Sequence, residues 1–255
     1  IIPAESGELA SGLSGEGRMA EPEHIIEFVN QYFANALPLT GKKVLVNAGP
    51  TYEAIDPVRF IGNRSSGKMG VALADEFAKA GAEVTLVLGP SHQKPQERSV
   101  TVIAVESAEE MLNACQKHFE ATDIAIFSAA VADYKPKTVA ASKIKKLENE
   151  LSLDLVKTVD VLATLGKQKK HQLLAGFALE TDHVVEYATE KIAKKNLDFI
   201  VANSATESGS GFGVDTNKIT IIDKHNKLYN FELKSKQDVA KDIVRFAINY
   251  LKTHE

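Results

Sequence analysis

The most constraining feature of the sequence is the alternation, from residue 42 onwards, of short apolar segments with longer amphipathic ones. The apolar segments are rich in β-branched side chains, as buried strands are. The predicted strands lie at 44–47, 83–88, 100–105, 123–128, 173–177 and 199–202. The predicted helices lie at 65–80, 107–118, 160–169, 184–195 and 237–251. This order predicts an α/β fold with a Rossmann-like, doubly wound and mostly parallel sheet.

The last part of the chain departs from this alternation. Segments 219–222 and 229–233, joined through 224–226, predict an antiparallel hairpin appended to the sheet. In doubly wound sheets ligands bind beyond the carboxyl ends of the strands. The candidate site segments are therefore 47–70, 89–92, 128–146 and 177–181.

Residues 1–39 have a different character from the rest. The first 20 residues hold four glycines and almost no large apolar side chains, which predicts an exposed, mobile loop. Glu21-Pro22-Glu23 then opens an amphipathic helix, and 38–41 is a linker. The apolar side of this helix carries Ile25, Ile26, Phe28, Val29 and Phe33. The first residue is Ile and no secretory leader follows, so we expect the chain to start inside a longer gene product.

Composition excludes several classes of function. The chain has 30 basic and 34 acidic residues, a net charge of −4, which argues against a nucleic-acid partner. No apolar run approaches the roughly 20 residues that a membrane span needs. The single cysteine, Cys115, rules out an intramolecular disulfide and argues against a structural zinc site. These features predict a cytoplasmic protein.

The segment Asn63–Gly70 follows the first predicted strand and leads into a helix. Its two serine hydroxyls, backbone N–H groups and Gly67 suit an oxyanion or phosphate cradle. The alternative is that Ser65 is only a helix N-cap. A dehydrogenase loop is disfavoured, because no G-x-G-x-x-G follows the first strand and Gly89-Pro90 stands where a ribose-binding acid belongs.

Four charged features flank this segment, and each allows two interpretations. Arg59 suits an anion or carboxylate, or it pairs at the surface with Asp56. Asp133 accepts from an exocyclic amine, or it caps a turn. The lysines of 143–146 form a mobile loop that closes on polyphosphate, or a solvated charge run. Lys191 and Lys195, on one helix face, grip a triphosphate or cover an exposed surface.

Seven motifs occur together and in a fixed order. They are Ala-Gly-Pro-Thr (48–51), Asp-Pro-Val-Arg-Phe (56–60), Asn-Arg-Ser-Ser-Gly-Lys-Met-Gly (63–70), Ala-Ala-Val-Ala-Asp-Tyr (129–134), Lys-Ile-Lys-Lys (143–146), Gly-Phe-Ala-Leu-Glu-Thr (176–181) and Lys-Lys-Asn-Leu-Asp (194–198). Over about residues 40–250 the chain thereby resembles the phosphopantothenoylcysteine synthetase family. The resemblance implies that residues 40–255 are the synthetase domain.

The amino-terminal residues carry a second resemblance. Segments 6–12 and 15–22 resemble the substrate-clamp end of the flavin-dependent phosphopantothenoylcysteine decarboxylase, in which some members have Cys at the position of Ser11. In bacteria that domain is commonly fused ahead of the synthetase. Residues 1–39 would then be the carboxy-terminal clamp and helix of a truncated decarboxylase domain, plus a linker. Because the flavin-binding body is missing, we expect neither FMN nor decarboxylase activity.

The synthetase resemblance implies a ligase of coenzyme A biosynthesis that joins 4′-phosphopantothenate to L-cysteine. In the bacterial enzymes CTP drives the reaction through an acyl-cytidylate, with release of pyrophosphate and CMP. Mg²⁺ is expected on the triphosphate, and no protein ligand of the metal is identified. The family also implies a homodimer, with larger oligomers in the full-length fusion and the hairpin around 223–226 as a candidate dimer element.

The same resemblance assigns roles to residues. Lys143, Asn63 and Arg59 are the implied catalytic residues, with Asn63 and Arg59 also holding the acyl substrate. Lys143 acts at the α-phosphate and Arg59 in the second half-reaction. The implied nucleotide-binding residues are Ser65, Ser66, Gly67, Phe127, Ser128, Ala129, Asp133, Lys143, Val159, Asp160, Val161, Leu162, Phe177, Lys191 and Lys195. Two other functions stay open, a Rossmann-like dehydrogenase and a non-catalytic nucleotide-binding module.

Overall fold

The structure of the protein is a computed structural model. It describes residues 1–8, 12–35, 37–145, 151–180, 184–204 and 214–254. The predictions that involve Ser11, Lys146 and Thr181 lie outside these ranges.

The described elements follow the predicted strand and helix order, with short strands added. In the first half they are β1 (Glu5–Glu8), β2 (Ser14–Arg18), α1 (Pro22–Asn35), β3 (Lys43–Ala48), β4 (Tyr52–Ala54), β5 (Phe60–Gly62), α2 (Lys68–Lys79), β6 (Glu83–Leu88), β7 (Thr101–Ala104), α3 (Ala108–Phe119) and β8 (Ile124–Phe127). The second half contains β9 (Tyr134–Pro136), β10 (Leu155–Lys157), α4 (Val161–Gln168), β11 (Leu173–Glu180), α5 (Val184–Lys195), β12 (Phe199–Ser204), β13 (Thr216–Asn217), β14 (Thr220–Asp223), β15 (Leu228–Asn230), β16 (Lys234–Ser235) and α6 (Lys236–His254).

One eight-stranded sheet organises the chain, in the order β15-β14-β12-β11-β8-β3-β6-β7. The six strands from β12 to β7 are parallel, whereas β14 and β15 are antiparallel to their neighbours. The α/β doubly wound fold with an antiparallel appendage is therefore confirmed. The turn between β14 and β15 includes Asn226 at φ 63°, and the use of this hairpin in dimerisation stays a prediction.

Helices cover both faces of this sheet because its central strands are apolar on both sides. On one face Val46 packs in a cluster with Phe77 of α2 and Ile243 of α6. On the other face Leu45 packs with residues of α3, α4 and α5, including Met111. Successive residues of a strand point to opposite faces, so a continuous apolar segment such as 44–46 fills two cores at once.

The starts of two helices show how local chemistry sets element boundaries. At α3, the Ser107 hydroxyl accepts a hydrogen bond from the Glu110 amide, as the capping-box spacing predicts. The Glu110 carboxylate accepts from the Glu106 amide, one residue earlier than the standard box. Helix α2 begins at Lys68 rather than at Ser65, because Gly67 has a left-handed backbone at φ 80° and forms the N-cap.

The amino-terminal residues differ from the prediction. Within the expected loop, β1 and β2 form an antiparallel pair in which Gly7 lies opposite Gly15. The strands are possible because backbone hydrogen bonds, rather than side-chain burial, hold this pair. The predicted helix is present as α1. Its apolar side is largely exposed to solvent, since Ile26 is 60% and Phe33 64% exposed. No helix within the described ranges is both long and apolar enough to span a bilayer.

Gly70 controls how closely α2 approaches the sheet, and it supplies a test of this packing. A Cβ at Gly70 would lie 2.3 Å from Ala48 Cβ and 2.5 Å from Ser128 Oγ. Although Ala has the higher helix propensity, we expect Gly70→Ala to lower the free energy of unfolding by about 2 kcal/mol through overpacking. Urea denaturation measures the change.

Ala72→Gly in the same helix is the control for helix propensity. It should cost about 1 kcal/mol, the usual penalty of glycine in a helix. A Gly70→Ala protein as stable as the wild type would show that α2 does not depend on this close contact.

Candidate functional site

A cavity of about 680 Å³ opens at the carboxyl ends of the central strands. Its wall includes Asn47 at the end of β3, Phe127 at the end of β8, Phe177 and Leu179 of β11, and Asn203 of β12. This is the edge at which doubly wound sheets bind ligands. The fold therefore brings four strand ends, distant in sequence, to one ligand-sized space.

The loop before α2 forms one side of the cavity, with Ser65, Ser66 and Gly67 in the wall. The Gly67 amide donates to Ser65 Oγ at 3.4 Å, and Ser91 Oγ donates to the Ser66 carbonyl at 2.7 Å. No side chain caps the start of α2 in the described part of the chain. The interpretation of Ser65 as only an N-cap is therefore wrong, and the helix start remains open to an anion.

Asn47 holds the floor of the cavity in place, although the sequence gives it no motif of its own. Its side chain is buried, and its Oδ1 accepts a hydrogen bond from the Ala129 amide at 3.0 Å. Ser128 Oγ donates to the Asn47 carbonyl at 2.7 Å. Residues Ser128 and Ala129 are thus tied to β3, which keeps the flat, small-residue part of the wall rigid.

Asp133 lies in the cavity wall, beyond the end of β8. Its carbonyl accepts from the Thr158 amide at 3.0 Å, and the Thr158 hydroxyl donates to the Ala132 carbonyl. These backbone contacts fix the position of Asp133. Its exposed carboxylate accepts no hydrogen bond from the described residues, so the turn-cap interpretation lacks support there. The carboxylate can accept from a ligand.

The α4 and α5 side of the cavity carries positive charge. Lys191 and Lys195 line the wall, and the Lys195 side chain is only 24% exposed. Lys195 Nζ lies 2.9 Å from Asp160 Oδ2, and Asp160 caps α4 by accepting from the Ala163 amide. Burial opposes ionisation of Asp160, but the amide and the two lysines outweigh it and lower the pKa of this carboxyl. The two lysines face the cavity rather than covering an exposed surface.

Val159, Val161 and Leu162 complete this side of the cavity. Of the predicted nucleotide-binding residues, all except Lys143 therefore share one wall. The arrangement combines a small-residue slot, an acceptor carboxylate, an open helix start and two ammonium groups. Such a wall suits a ligand with a flat polar ring and a phosphate chain.

The predicted catalytic residues, Asn63, Arg59 and Lys143, are not among the residues that line the cavity. Asn63 Nδ2 donates to the carbonyls of Ala130 and Val131, both 3.0 Å away, and these two residues do line the cavity. Arg59 forms the predicted ion pair with Asp56, whose side chain is fully buried. Lys143 is exposed on a neighbouring segment.

Several cavity residues carry no signal in the sequence. Lys157, Asn203, Asn217 and Lys236 are examples, and they lie on β10, β12, β13 and the start of α6. Lys236 is 8% exposed, and burial, followed by the nearby charge of Lys68, lowers its pKa. Only the three-dimensional fold could bring these residues to the site, because none of them belongs to a recognisable motif.

Within the described ranges, no three His, Cys, Asp or Glu side chains are grouped to hold a metal ion. The cavity wall offers two carboxylates, those of Asp133 and Asp160. A divalent cation prefers six or more oxygen ligands. A metal at this site would take most of its ligands from a bound molecule and from water.

Comparison with known proteins gives a consistent result. Residues 39–250 match the family described as the DNA/pantothenate metabolism flavoprotein C-terminal domain. A protein of an unknown prokaryotic organism, named cysteine/cysteine sulfinic acid decarboxylase, is 54% identical over 250 residues, or 96% of this chain and 70% of its own length. The coenzyme A biosynthesis bifunctional protein CoaBC of Bacillus subtilis (strain 168) is 46% identical over 247 residues, or 96% of this chain and 61% of its own length.

The crystal structure of the C-terminal domain of a CoaBC protein is also similar, with a TM-score of 0.74 at 42% identity. The aligned region covers 85% of this chain and 99% of that domain. Fold and cavity thus define a Rossmann-like ligand-binding domain. The chain belongs to the DNA/pantothenate metabolism flavoprotein C-terminal domain family, and it spans between 61% and 70% of the length of the two relatives above.

Cys115 can be tested as a reactive group, since an accessible thiol of lowered pKa would be a possible nucleophile. It is buried in α3, and burial raises its pKa to about 12. We expect the native protein to react very slowly with a disulfide reagent such as DTNB at mildly alkaline pH, because almost no thiolate is present. The same reagent should label one thiol per chain in guanidinium. Native labelling as fast as that of free cysteine would contradict this assignment.

Proposed function

We propose that this domain is the ligase that joins 4′-phosphopantothenate to L-cysteine in coenzyme A biosynthesis, driven by CTP. One observation carries the proposal, namely that a single cavity wall unites an acceptor for a base amine, an open helix start and two lysines. Of the proposed catalytic residues, Asn63 contacts Ala130 and Val131 of this wall, and Arg59 and Lys143 lie on two segments that hydrogen-bond to each other. Membership of a family that includes the CoaBC C-terminal domain supports the same reaction.

In the proposed first half-reaction, the phosphopantothenate carboxylate attacks the α-phosphorus of CTP. Pyrophosphate leaves and an acyl-cytidylate forms. Lys143 is the proposed donor to the charge that develops on the α-phosphate, a role that suits a cation on an exposed segment. Lys191 and Lys195 would hold the outgoing phosphates, and Asp160, already paired with Lys195, would keep that ammonium directed into the cavity.

In the proposed second half-reaction, the amine of cysteine attacks the acyl carbon and displaces CMP. Asn63 is proposed to hold the acyl group through its amide, and Arg59 to act on the same side. Both residues belong to the stretch between β4 and α2. The acyl carbon would therefore stay in one position through both half-reactions, first while the acyl-cytidylate forms and then while the cysteine amine attacks.

The base would lie against the small residues Ser128 and Ala129, with its exocyclic amine donating to Asp133. Cytosine and adenine both carry such an amine, so CTP is proposed on the strength of the family resemblance. Mg²⁺ would neutralise the triphosphate, bound mainly by phosphate oxygens and water. We further propose a cytoplasmic homodimer that uses the β14–β15 hairpin, where β15 is an edge strand with Leu228 47% exposed.

Pyrophosphate release tests the reaction directly. With CTP and Mg²⁺ we expect pyrophosphate only when 4′-phosphopantothenate is present, and faster turnover when cysteine is added. ATP in place of CTP should support a much lower rate. Silence with both nucleotides, on folded protein, would refute the ligase and favour a binding module.

Two further assays distinguish the ligase from a dehydrogenase and from a decarboxylase. NADH binding measured by fluorescence would revive the dehydrogenase. Carbon dioxide release from cysteine without any nucleotide would instead support the activity in the name of the 54% identical relative. We expect neither signal.

Lys143→Gln tests the proposed donor. Loss of one charged donor in the transition state should lower kcat for pyrophosphate release about 100-fold. The KM for CTP should stay within a few-fold, because Lys143 does not line the cavity. Lys137→Gln is the matched control, an exposed lysine six residues earlier, and its kinetics should equal those of the wild type. Equal kcat in the two variants would remove Lys143 from the mechanism.

A further inference from the structure

The Asp56 carboxylate accepts five hydrogen bonds. Its side chain has no exposed surface. Oδ1 accepts hydrogen bonds from the Val58 and Arg59 amides, both at 2.9 Å. Oδ2 accepts from the Arg59 guanidinium, through Nε at 3.0 Å and through Nη2. Oδ2 also accepts from the Ile144 amide at 3.1 Å, a residue 88 positions away in sequence.

The contact with Ile144 is one of three between the same two segments. Arg59 Nη2 donates to the Ile144 carbonyl at 3.1 Å, so both the backbone N–H and the backbone C=O of Ile144 are held. The Ala140 amide donates to the Ile55 carbonyl at 3.0 Å. The segment 140–144 is therefore fastened to the loop at 55–59, and Lys143 immediately precedes the fastened residue.

Charge and burial explain why this contact needs a carboxylate. A buried carboxylate is costly unless it is paired and hydrogen-bonded, and here five donors surround it. The Arg59 guanidinium, helped by the backbone amides, holds the pKa of Asp56 well below its usual range. Asp56 is therefore ionised near neutral pH, and the contact with Ile144 is made by a carboxylate.

We propose that Asp56 is a positioning residue that couples the two proposed half-reactions. Through one oxygen, Oδ2, it orients Arg59 and docks the segment that carries Lys143. The role rests on the proposed function, since it matters for catalysis only if Lys143 and Arg59 act there. When Ile144 leaves Oδ2, Arg59 keeps its other bonds to Asp56, so the Lys143 segment can open while the Arg59 loop stays in place.

Asp56→Asn tests the docking. The amide keeps one acceptor oxygen but turns an NH₂ group toward the Arg59 and Ile144 donors. We expect trypsin to cut after Lys145 about 10-fold faster than in the wild type, because loss of a charged hydrogen bond raises the open population. We also expect kcat for pyrophosphate release to fall about 100-fold with little change in the KM for CTP, as misplacement of a catalytic group predicts.

Asp75→Asn is the matched control. Asp75 is another buried carboxylate that fastens a loop, since its Oδ1 accepts from the Gln96 and Glu97 amides at 2.9 and 3.0 Å. Its variant should lose stability without faster cutting after Lys145 and without loss of kcat. If both variants accelerate that cut equally, the effect is general loosening and the docking role is overturned.

Ile144→Pro is the second variant, and it keeps the test decisive if Asp56→Asn does not fold. It deletes the amide hydrogen that Oδ2 accepts, while the bonds between the Asp56 and Arg59 side chains keep their own donors. Proline also fixes φ at position 144 and restricts the backbone of Lys143, so the protease assay is its primary readout. We again expect faster cutting after Lys145. Unchanged cutting in the folded variants would overturn the docking, and faster cutting with an unchanged kcat would overturn the positioning role. Because the protease assay uses no substrate, wild-type silence in pyrophosphate release would refute the proposed function alone.

Discussion

The parallel sheet, whose central strands are buried on both faces, is the constraint on which the rest of the structure depends. β3 lies between β6 and β8 and bonds to both, so its backbone is satisfied along its length. Its side chains serve two cores, as Leu45 and Val46 show. Apolar packing thus occupies both faces, and polar chemistry is confined to the ends of the strands. The cavity lies at the carboxyl ends of the central strands, where the backbone leaves the two apolar cores.

The cavity is lined by an excess of positive charge, although the chain as a whole is acidic. The chain carries a net charge of −4, yet five lysines and two aspartates line the cavity. Two of the lysines, Lys191 and Lys195, come from one helix face, and Lys236 from the start of another. Positive charge gathered in one cleft attracts anions more strongly than the same charges spread over the surface. An acidic protein can therefore concentrate a polyanionic ligand at one edge of its sheet.

The predictable part of the fold is the part that local pattern controls. The apolar strands β3, β6 and β8 were predicted close to their bounds, because a continuous β-branched segment has few alternatives. Helix α2 starts three residues later than the serines at 65 and 66 predict, since a pattern of hydroxyls does not reveal the left-handed backbone of Gly67. The β9–β10 pair was not predicted, because Lys135 and Val156 meet across a long sequence separation and their strands have three residues each.

In the site, too, local sequence patterns predict some features, while others depend on the folding together of distant segments. The spacing of Lys191 and Lys195 predicted a shared face, and the helix places both in the cavity wall. For Arg59 two interpretations were open, pairing with Asp56 or binding an anion. The structure shows the pair, and the two interpretations are compatible because a guanidinium has five donors. The contact of Asp56 with Ile144 had no local signal, since it exists only after two distant loops have folded together.

The separation between the cavity and the residues beside it has a physical consequence for the proposed reaction. A cation that contacts a nucleotide equally in the ground state and the transition state improves binding without lowering the barrier. Lys143 lies instead on an exposed segment held by backbone contacts through Ile144. A donor on such a segment can let the nucleotide enter and then engage the α-phosphate as charge develops there. Binding by fixed lysines and rate acceleration by a docked one would then be distinct properties of neighbouring parts of the same sheet edge.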